Sequence, residues 1–322
     1  MMRIGGNKLI EIENLVKRYG NNEVLRGINL SINKGEILGF LGPNGAGKST
    51  TMNIITGYIG ASEGTVTIDG IDILKEPKKA KKKIGYLPEI PPLYLDMTVE
   101  EYLKFACKIK SIESKNVKET IDKVCNIVKV SQHRNRLIKN LSKGYKQRVG
   151  LAQAIIGTPE VLILDEPTVG LDPKEIIEIR NLIKEVGKNH TVILSSHILS
   201  EVSAVCDRVV IINKGEIVAS GTPEELSKKL SYSSKILIRV KKDSKEVLKL
   251  LKDLNGVDKI HIQGEVEKGT SDIIVEAKQD KDIREELFWK LCKAEVPVLL
   301  MKPVDLSLEE VFLQVTTQEE VF

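Results

Sequence analysis

The sequence predicts an α/β domain with a largely parallel sheet, followed by a smaller α+β domain. From Leu9 to about Leu230, short apolar runs that suit strands alternate with helical patterns. Several of these runs are apolar throughout, as is typical of strands buried on both faces of a parallel sheet. A polar stretch at 231–234 then precedes a second series of strands and helices. We therefore expect two domains, residues 1–230 and 231–322.

The first domain begins with two segments in which apolar and polar residues alternate, 10–15 and 24–32, separated by Gly20, Asn21 and Asn22. Because alternation indicates half-buried strands, we expect an antiparallel β flap beside the main sheet. Further strands are predicted at 37–41, 65–68, 84–86, 161–164, 191–194 and 209–212.

A helical block lies between Pro88 and Asn140. Its apolar residues recur at helical spacing, which predicts helices with one buried face. The positions expected to be buried are Leu103, Phe105, Cys107, Ile121, Val124, Cys125 and Val128. We interpret this block as a helical subdomain inserted in the α/β domain.

The second domain is predicted to have the order β-α-β-β-α-β, a small α+β fold of the ferredoxin-like kind. Its elements are strand 236–240, helix 245–254, strand 257–262, strand 272–275, helix 283–293 and strand 298–301. A last helix is expected from Ser307 to Val315, because Ser307 and Glu310 have the spacing of a capping box. The role of this domain stays open between dimerisation, regulation and contact with a partner.

Composition excludes several classes of protein. The chain has 322 residues, 41% hydrophobic and 29% charged, which fits two globular domains rather than a disordered or fibrous chain. Its 49 basic against 45 acidic side chains leave a net charge of +4, which does not by itself imply nucleic acid. No apolar run approaches the roughly 20 residues of a membrane span, and the first residues lack the apolar core of a signal peptide.

The cysteines indicate neither a disulfide framework nor a metal site. They are far apart and form no CxxC pair. Reduced thiols in the cytosol suit this spacing. The four positions are Cys107, Cys125, Cys206 and Cys292.

A glycine-rich segment between the strand at 37–41 and a helical stretch at 51–55 has the pattern of a P-loop. Glycines let backbone N–H groups approach phosphate oxygens, and the helix behind them adds the positive end of its dipole. Lys48 can reach the β- and γ-phosphates of ATP, and the Ser49 hydroxyl can bind Mg²⁺. The predicted nucleotide-binding residues are Gly42, Pro43, Asn44, Gly45, Ala46, Gly47, Lys48, Ser49 and Thr50. The alternative is a glycine turn that only joins strand to helix.

Two acids end the buried strand at 161–164. In such sheets ligands bind at the carboxyl ends of the strands, which places Asp165 and Glu166 beside the P-loop. We expect Asp165 to hold Mg²⁺ and Glu166 to polarise the attacking water. The alternative is a strand that simply exits to solvent with two charged residues.

The segment Leu141-Ser142-Lys143-Gly144-Tyr145-Lys146-Gln147-Arg148 resembles the signature segment of the ABC ATPases. Residues of three further family motifs follow in the expected order: Tyr19 before the flap hairpin, Gly170–Pro173 as the D-loop, and His197 as the switch histidine. The resemblance covers residues 9–225 densely, and the tail at 306–312 is similar to the C-terminal extension of an exporter-type subgroup.

The resemblance implies a P-loop NTPase fold of the ABC ATPase type and a role for each matching residue. Tyr19 would stack on adenine. Ser142 and Gly144, at the start of a helix, would bind the γ-phosphate of an ATP held by the opposite copy. Asp172 would contact the partner across the same interface. His197 would bind the γ-phosphate and orient water.

Two departures from the family pattern stand out. Lys143 and Tyr145 occupy the third and fifth positions of the signature segment, where glycine and glutamine are usual, while Gly144 is kept. Glu89 replaces the usual Q-loop glutamine. Its carboxylate can bind Mg²⁺ or a water on it, so we expect Ser49, Glu89 and Asp165 to hold the metal and ATPase activity to survive.

The implied function is that of an ATP-hydrolysing transporter subunit, working as a homodimer across two ATP and bound to a separate polytopic membrane permease. We expect export as the direction and the cytoplasmic face of the cell membrane as the location. The apolar, proline-rich loop 90–98 would receive a coupling helix of the permease, unless it packs on its own helical subdomain. The lysine-rich run 75–83 is interpreted as a solvated helix face, with anionic lipid or nucleic acid as alternatives.

Two rival functions are weighed against transport. Chromosome-associated ABC ATPases usually carry a long coiled coil between their nucleotide motifs, and translation-linked members usually carry two cassettes. This chain has one cassette and a modest helical block, so no nucleic-acid partner is expected. A scaffold that binds ATP without hydrolysis would not require Lys48, Asp165, Glu166 and His197 together.

Overall fold

The computed structural model describes residues 8–230, 235–252, 254–278 and 281–303. The chain divides into two compact units, with the boundary between Pro223 and Glu224, a few residues before the expected one. The predicted linker at 231–234 and the predicted last helix at 307–315 lie outside the described residues.

The strands of the first unit are β1 (Lys8–Tyr19), β2 (Asn22–Asn33), β3 (Ile37–Leu41), β4 (Glu63–Ile68), β5 (Ile71–Asp72), β6 (Ile84–Leu87), β7 (Val161–Asp165), β8 (Thr191–Ser196), β9 (Arg208–Asn213) and β10 (Glu216–Gly221). Its helices are α1 (Lys48–Ile55), α2 (Pro77–Lys82), α3 (Val99–Ile109), α4 (Val117–Ile127), α5 (Lys143–Ile155), α6 (Pro173–Gly187) and α7 (Leu199–Val205), and α8 (Pro223–Leu230) begins at the boundary.

The main sheet has six strands in the order β10-β9-β3-β8-β7-β6. All neighbours pair in parallel except β10, which is antiparallel to β9. The inner strands β3, β7 and β8 are buried along their whole length, which explains their continuous apolar sequences. The prediction of a largely parallel sheet is therefore confirmed.

The predicted antiparallel flap forms a separate four-stranded sheet in the order β2-β1-β4-β5. The strand predicted at 65–68 belongs to this flap and not to the main sheet, since β4 pairs with β1. Its burial pattern gives the reason. Val66 and Ile68 are buried while Thr65 and Thr67 are less so, which is the alternation of a sheet with one covered face.

The helical subdomain contains α3 and α4, and six of the seven positions predicted to be buried in it are buried. Phe105 is the exception. It is partly exposed, and its ring makes an edge contact with Tyr94, the centroids being 5.4 Å apart. Phe105 faces a surface groove rather than the core, and its position on α3 could not distinguish the two.

The second unit has the predicted order β-α-β-β-α-β. Its elements are β11 (Lys235–Val240), α9 (Ser244–Lys252), β12 (Val257–Gly264), β13 (Ser271–Ala277), α10 (Arg284–Lys293) and β14 (Val298–Pro303). The sheet is antiparallel in the order β12-β13-β11-β14. Its core joins alternate residues of β11 and β13, such as Ile238 and Val275, to Val247 of α9 and Leu287 of α10.

Candidate functional site

The glycine-rich segment forms the connection between β3 and α1. Gly45 and Gly47 have φ of 82° and 109°, in the left-handed region that side chains disfavour. A Cβ on Gly47 would also lie 2.6 Å from Leu25 Cδ2. Glycine is therefore required at Gly47 for two independent reasons, and the tight turn leads directly into the N-terminus of α1.

The Lys48 side chain is enclosed by this loop. Only 6% of the residue is exposed, and its Nζ donates to the carbonyl oxygens of Gly42 (2.7 Å) and Pro43 (3.3 Å). The same ammonium group lies 3.7 Å from Oε1 of Glu166. The loop thus holds one buried cation directly opposite the predicted water-activating carboxylate.

Asp165 and Glu166 end β7, and both are buried. Ser195 of the neighbouring β8 positions them together. Its hydroxyl donates to Asp165 Oδ1, and its Oγ and carbonyl oxygen accept from the Glu166 amide at 3.0 and 3.2 Å. Glu166 has a φ of 46°, so the chain turns sharply at this residue. We did not predict a role for Ser195; the available signal was a hydroxyl near the end of an otherwise apolar strand.

His197 completes a line of three ionisable groups. Its Nδ1 lies 2.9 Å from Glu166 Oε2, while Oε1 of the same carboxylate faces Lys48. A carboxylate fixed between an ammonium group and an imidazole is oriented at both oxygens. This geometry suits a group that polarises water next to a phosphate.

These groups open into a cavity of about 560 Å³. Its lining consists of Asn22, Val24, Asn44, Gly45, Gly47, Lys48, Ser49, Thr50, Glu89, Glu166, Val169 and His197. Asn22, Val24 and Val169 were not predicted. Tyr19 is not among the lining residues but pairs with Asn22 at the end of the flap hairpin, half exposed. A larger cavity of about 1080 Å³ lies elsewhere and contains none of these residues.

The oxygen donors at the cavity fit Mg²⁺. Ser49 and Glu89 both line it, and Asp165 lies at the end of the adjacent strand. Among the residues that the structure describes, no group of three or more His, Cys, Asp or Glu side chains is arranged to hold a metal. Mg²⁺ usually takes one or two carboxylates and completes its shell with phosphates and water, a requirement that Glu89, Asp165 and the Ser49 hydroxyl can meet.

The signature residues form a second group outside this cavity. Ser142 is the N-cap of α5, accepting from the Tyr145 amide at 3.3 Å, and its hydroxyl donates to Glu175 Oε1 at 3.2 Å. Gly144 lies against the same carboxylate. Asp172 caps α6 by accepting from the Glu175 amide at 2.8 Å. Within one chain, the predicted residues therefore fall into two separate half-sites.

The two departures in the signature segment have structural accommodations. A Cβ on Gly170, whose φ is 69°, would lie 2.3 Å from Lys143 Nζ, so the Lys143 side chain rests on the D-loop. The Tyr145 ring packs edge-on against His133, with centroids 4.3 Å apart. Both large side chains lie beside the start of α5, Lys143 against the D-loop and Tyr145 against His133.

Helix α5 is joined to the segment that contains Glu89. The Gln147 amide donates to the Glu89 carbonyl oxygen at 3.3 Å. In the middle of the helix, a Cβ on Gly150 would lie 2.7 Å from Leu87 and 2.9 Å from Pro91. The backbone of the helix at Gly150 is thus in close contact with the side chains of Leu87 and Pro91. Neither Gln147 nor Gly150 was singled out from the sequence.

A buried carboxylate links the two chain segments that flank the site. Glu201 of α7, 3% exposed, accepts from the Thr168 hydroxyl and, at 3.3 Å, from the Ser196 hydroxyl. Arg180 lies 3.9 Å away. Because Thr168 follows Glu166 and Ser196 precedes His197, this network fixes the distance between the two catalytic candidates.

The chain is similar to known proteins in both sequence and structure. The family model described as "ABC transporter" matches residues 25–169. The linearmycin resistance ATP-binding protein LnrL of Bacillus subtilis is 33% identical over 309 residues, covering 96% of this chain and 98% of that protein. The bacitracin transport ATP-binding protein BcrA of Bacillus licheniformis is 40% identical over 223 residues, covering 69% of this chain and 72% of that one.

Among solved structures, an ATP-binding subunit of an ABC transporter superposes with a TM-score of 0.63 at 30% identity, over 69% of this chain and 93% of that chain. The ATP-binding cassette MJ0796, in a dimeric post-hydrolysis state with ADP and Pi, gives a TM-score of 0.61 at 26% identity, over 66% of this chain and 98% of that chain.

Proposed function

Since this chain belongs to the ABC transporter family of ATP-binding proteins, we propose that two copies of it close around two ATP molecules, each held by the phosphate loop of one copy and the signature residues of the other. The chain is an ATPase that works with a membrane partner in transport. The proposal concerns how its residues perform this work.

The observation that carries the proposal is the separation into two half-sites. The group around Lys48 has a buried cation, a positioned carboxylate and a cavity, whereas the group around Ser142 has a helix N-terminus with the exposed Ser142 hydroxyl and, two residues further on, a glycine in contact with Glu175. Both features suit phosphate, yet neither alone surrounds it. Head-to-tail pairing of two copies brings them together twice, as the family pattern implies.

Within each composite site, we assign roles from the contacts already described. Residues 42–50 hold the phosphates, and Tyr19 and Asn22 lie where the adenosine end would emerge. Glu166 accepts hydrogen bonding from the attacking water, and His197 holds Glu166 in place while facing the γ-phosphate. Ser49, Asp165 and Glu89 would hold Mg²⁺, which neutralises phosphate charge. Asp172 contacts the twin.

We place the permease contact on a groove of the helical subdomain. Ile90 is 81% exposed and Ile109 is 67% exposed, which is unusual for isoleucine. Beside them a cavity of about 230 Å³ is lined by Pro92, Tyr94, Tyr102, Phe105, Ala106, Ile109, Lys110 and Gln153. An amphipathic helix of a membrane protein suits such a surface. Every described helix of this chain is itself too short or too polar to cross a bilayer.

Export is the direction that we propose, on the cytoplasmic face of the membrane. The support is the names of two relatives, one concerned with linearmycin resistance and one with bacitracin transport. Residues 231–322 would form an accessory domain, and deleting them before measuring dimerisation and ATP hydrolysis would show what it adds.

A crosslink tests the composite site directly. Asn44→Cys and Lys143→Cys would be combined in one chain with Cys292→Ser, because Cys292 is exposed whereas Cys107, Cys125 and Cys206 are buried. With Glu166→Gln present to retain ATP, a short bismaleimide should join two chains only when ATP is added. A crosslink within one chain, or none between chains, would contradict the proposal. Each single cysteine variant serves as a control.

A further inference from the structure

We propose that Glu175 is an intramolecular stopper for the signature half-site, a carboxylate that occupies the phosphate-receiving end of α5 until ATP on the other copy displaces it. The inference rests on the composite site proposed above. Glu175 belongs to the first turn of α6 and is absent from the family motifs described for the chain.

The position of the carboxylate is defined by two contacts. Ser142 Oγ donates to Glu175 Oε1 at 3.2 Å. A Cβ built on Gly144 would lie 2.5 Å from both Cδ and Oε1 of Glu175, so the carboxylate lies directly against this buried glycine. The two residues that should bind the γ-phosphate thus both contact one anionic side chain of their own chain.

These contacts exclude phosphate as long as they persist. A serine hydroxyl carries one proton, which cannot be donated to Glu175 and to a phosphate oxygen at once. The space beside Gly144 admits a phosphate oxygen only after the carboxylate has left. Two anions in this small volume would also repel each other by an energy that exceeds thermal energy at contact distance, even in water.

The contact of Glu175 with the N-terminus of α5 is stable in the isolated chain because this helix end attracts negative charge. The same attraction is what ATP must compete for. The N-terminus of a 13-residue helix attracts negative charge, and Glu175 supplies it. The backbone of Glu175 is fixed separately, by the cap that Asp172 provides at its amide. The side chain can therefore swing away without unwinding α6. Closure of the dimer should then require an anion that binds the N-terminus of α5 more strongly than the single carboxylate of Glu175 does.

The experiment compares two glutamates on the same helix. Glu175→Gln removes the charge but keeps the size of the side chain. Glu178→Gln is the matched control, because Glu178 lies about one turn further on and pairs with Arg148 of α5, away from Ser142. Both would be placed in the full chain with Glu166→Gln, and the ATP-dependent dimerisation constant would be measured by sedimentation.

We expect Glu175→Gln to tighten the ATP-dependent dimer about tenfold or more, and Glu178→Gln to leave it unchanged or weaker. The gain should shrink as salt is raised, because it is electrostatic. In the chain with native Glu166, the same substitution should lower the ATP concentration for half-maximal hydrolysis. A purely structural role for Glu175 would instead weaken the dimer.

Two results would overturn the inference in distinguishable ways. If the Glu166→Gln parent forms no dimer with ATP, the composite site itself fails and the stopper fails with it. If the parent dimerises but Glu175→Gln matches Glu178→Gln or binds more weakly, the composite site stands and only the stopper is wrong. Thermal unfolding of each variant checks that the fold is retained.

Discussion

The phosphate-loop half-site and the signature half-site differ in how far they are completed by their own chain. In the first, the Glu166 carboxylate already contacts both Lys48 and His197. The Ser195 hydroxyl donates a hydrogen bond to the neighbouring Asp165. In the second, Ser142 is exposed and its hydroxyl donates a hydrogen bond to Glu175 of the same chain. The groups proposed for chemistry are thus assembled within one chain, whereas the groups proposed to recognise the other copy's nucleotide are not. Under the proposed composite site, this difference would make hydrolysis depend on the meeting of two copies.

The largest effect is expected from Glu166→Gln, which tests whether the phosphate-loop half-site supplies the group that activates water. We expect ATP turnover to fall by about 100-fold or more, because the amide cannot accept a proton from water. ATP binding should persist, since the residues of 42–50 are untouched. Steady-state phosphate release and binding of a fluorescent ATP analogue measure the two quantities. The exposed Glu185 of α6, changed to Gln, is the control; native turnover in Glu166→Gln would refute the assignment.

A smaller effect is expected from Ser195→Ala, which tests whether the Ser195 hydroxyl positions Asp165 and Glu166. The change removes the hydroxyl that donates to Asp165 and accepts from the Glu166 amide. Leaving buried polar groups unpaired costs about 1–3 kcal/mol of unfolding free energy. Turnover should fall about tenfold at saturating ATP. Denaturant unfolding and kcat measure these, with exposed Ser200→Ala as control. Unchanged turnover would mean that Asp165 and Glu166 hold their positions alone.

The next comparison concerns Glu201, which joins Thr168 to Ser196. In Glu201→Gln the amide keeps the shape but loses the charge that faces Arg180. We expect a loss of about 1–2 kcal/mol in unfolding free energy and a several-fold fall in kcat, with the ATP concentration for half-saturation nearly constant. Equal changes in kcat and half-saturation would show that Glu201 acts on binding instead of on the alignment of His197 with Glu166.

The last comparison concerns the far end of the signature helix, which unlike its tip is firmly anchored. Lys110 Nζ donates to the carbonyl oxygens of Ala154 (3.2 Å) and Ile156 (3.0 Å), and burial lowers its pKa from 10.5 to about 8. Between these values the unfolded chain binds a proton that the folded chain does not, so stability should rise with pH from about 8 to 10.5. Below pH 8 the contribution should be flat.

Lys110→Met isolates this contribution, because other titrations cancel in the difference between the two proteins. The unfolding free energy of the native chain relative to the variant should increase between pH 8 and 10. A pH-independent difference would show that the ammonium group is well solvated.

Sequence reasoning could propose the residues of the phosphate-loop half-site because its parts are contiguous. A P-loop and a strand that ends in two acids each carry their function within a few residues, and parallel topology brings them together. Ser195, Glu201 and Glu175 were missed for the opposite reason. Each is an ordinary residue of its helix or strand and acquires its role only from a neighbour about 30 residues away in the chain.

The fold itself was largely predictable from the sequence, and the two details that were not predicted share one cause. The strand at 65–68 was predicted without a sheet assigned to it and belongs to the flap, and Phe105 was expected to be buried but is partly exposed. Both are short apolar signals that fit two environments equally well. Periodicity identifies which residues avoid water, whereas the partner that covers them is decided by the remainder of the chain.

The glycine in the middle of α5 has a mechanical consequence. Gly150 costs the helix some intrinsic stability but lets its backbone contact the side chains of Leu87 and Pro91. With the permease bound as proposed, a movement of the 90–98 loop would therefore be transmitted directly to α5. A larger side chain at position 150 would separate α5 from Leu87 and Pro91 and would weaken this transmission. Ser142 caps the N-terminus of the same helix, so a force from the membrane partner would arrive there as a displacement of Ser142.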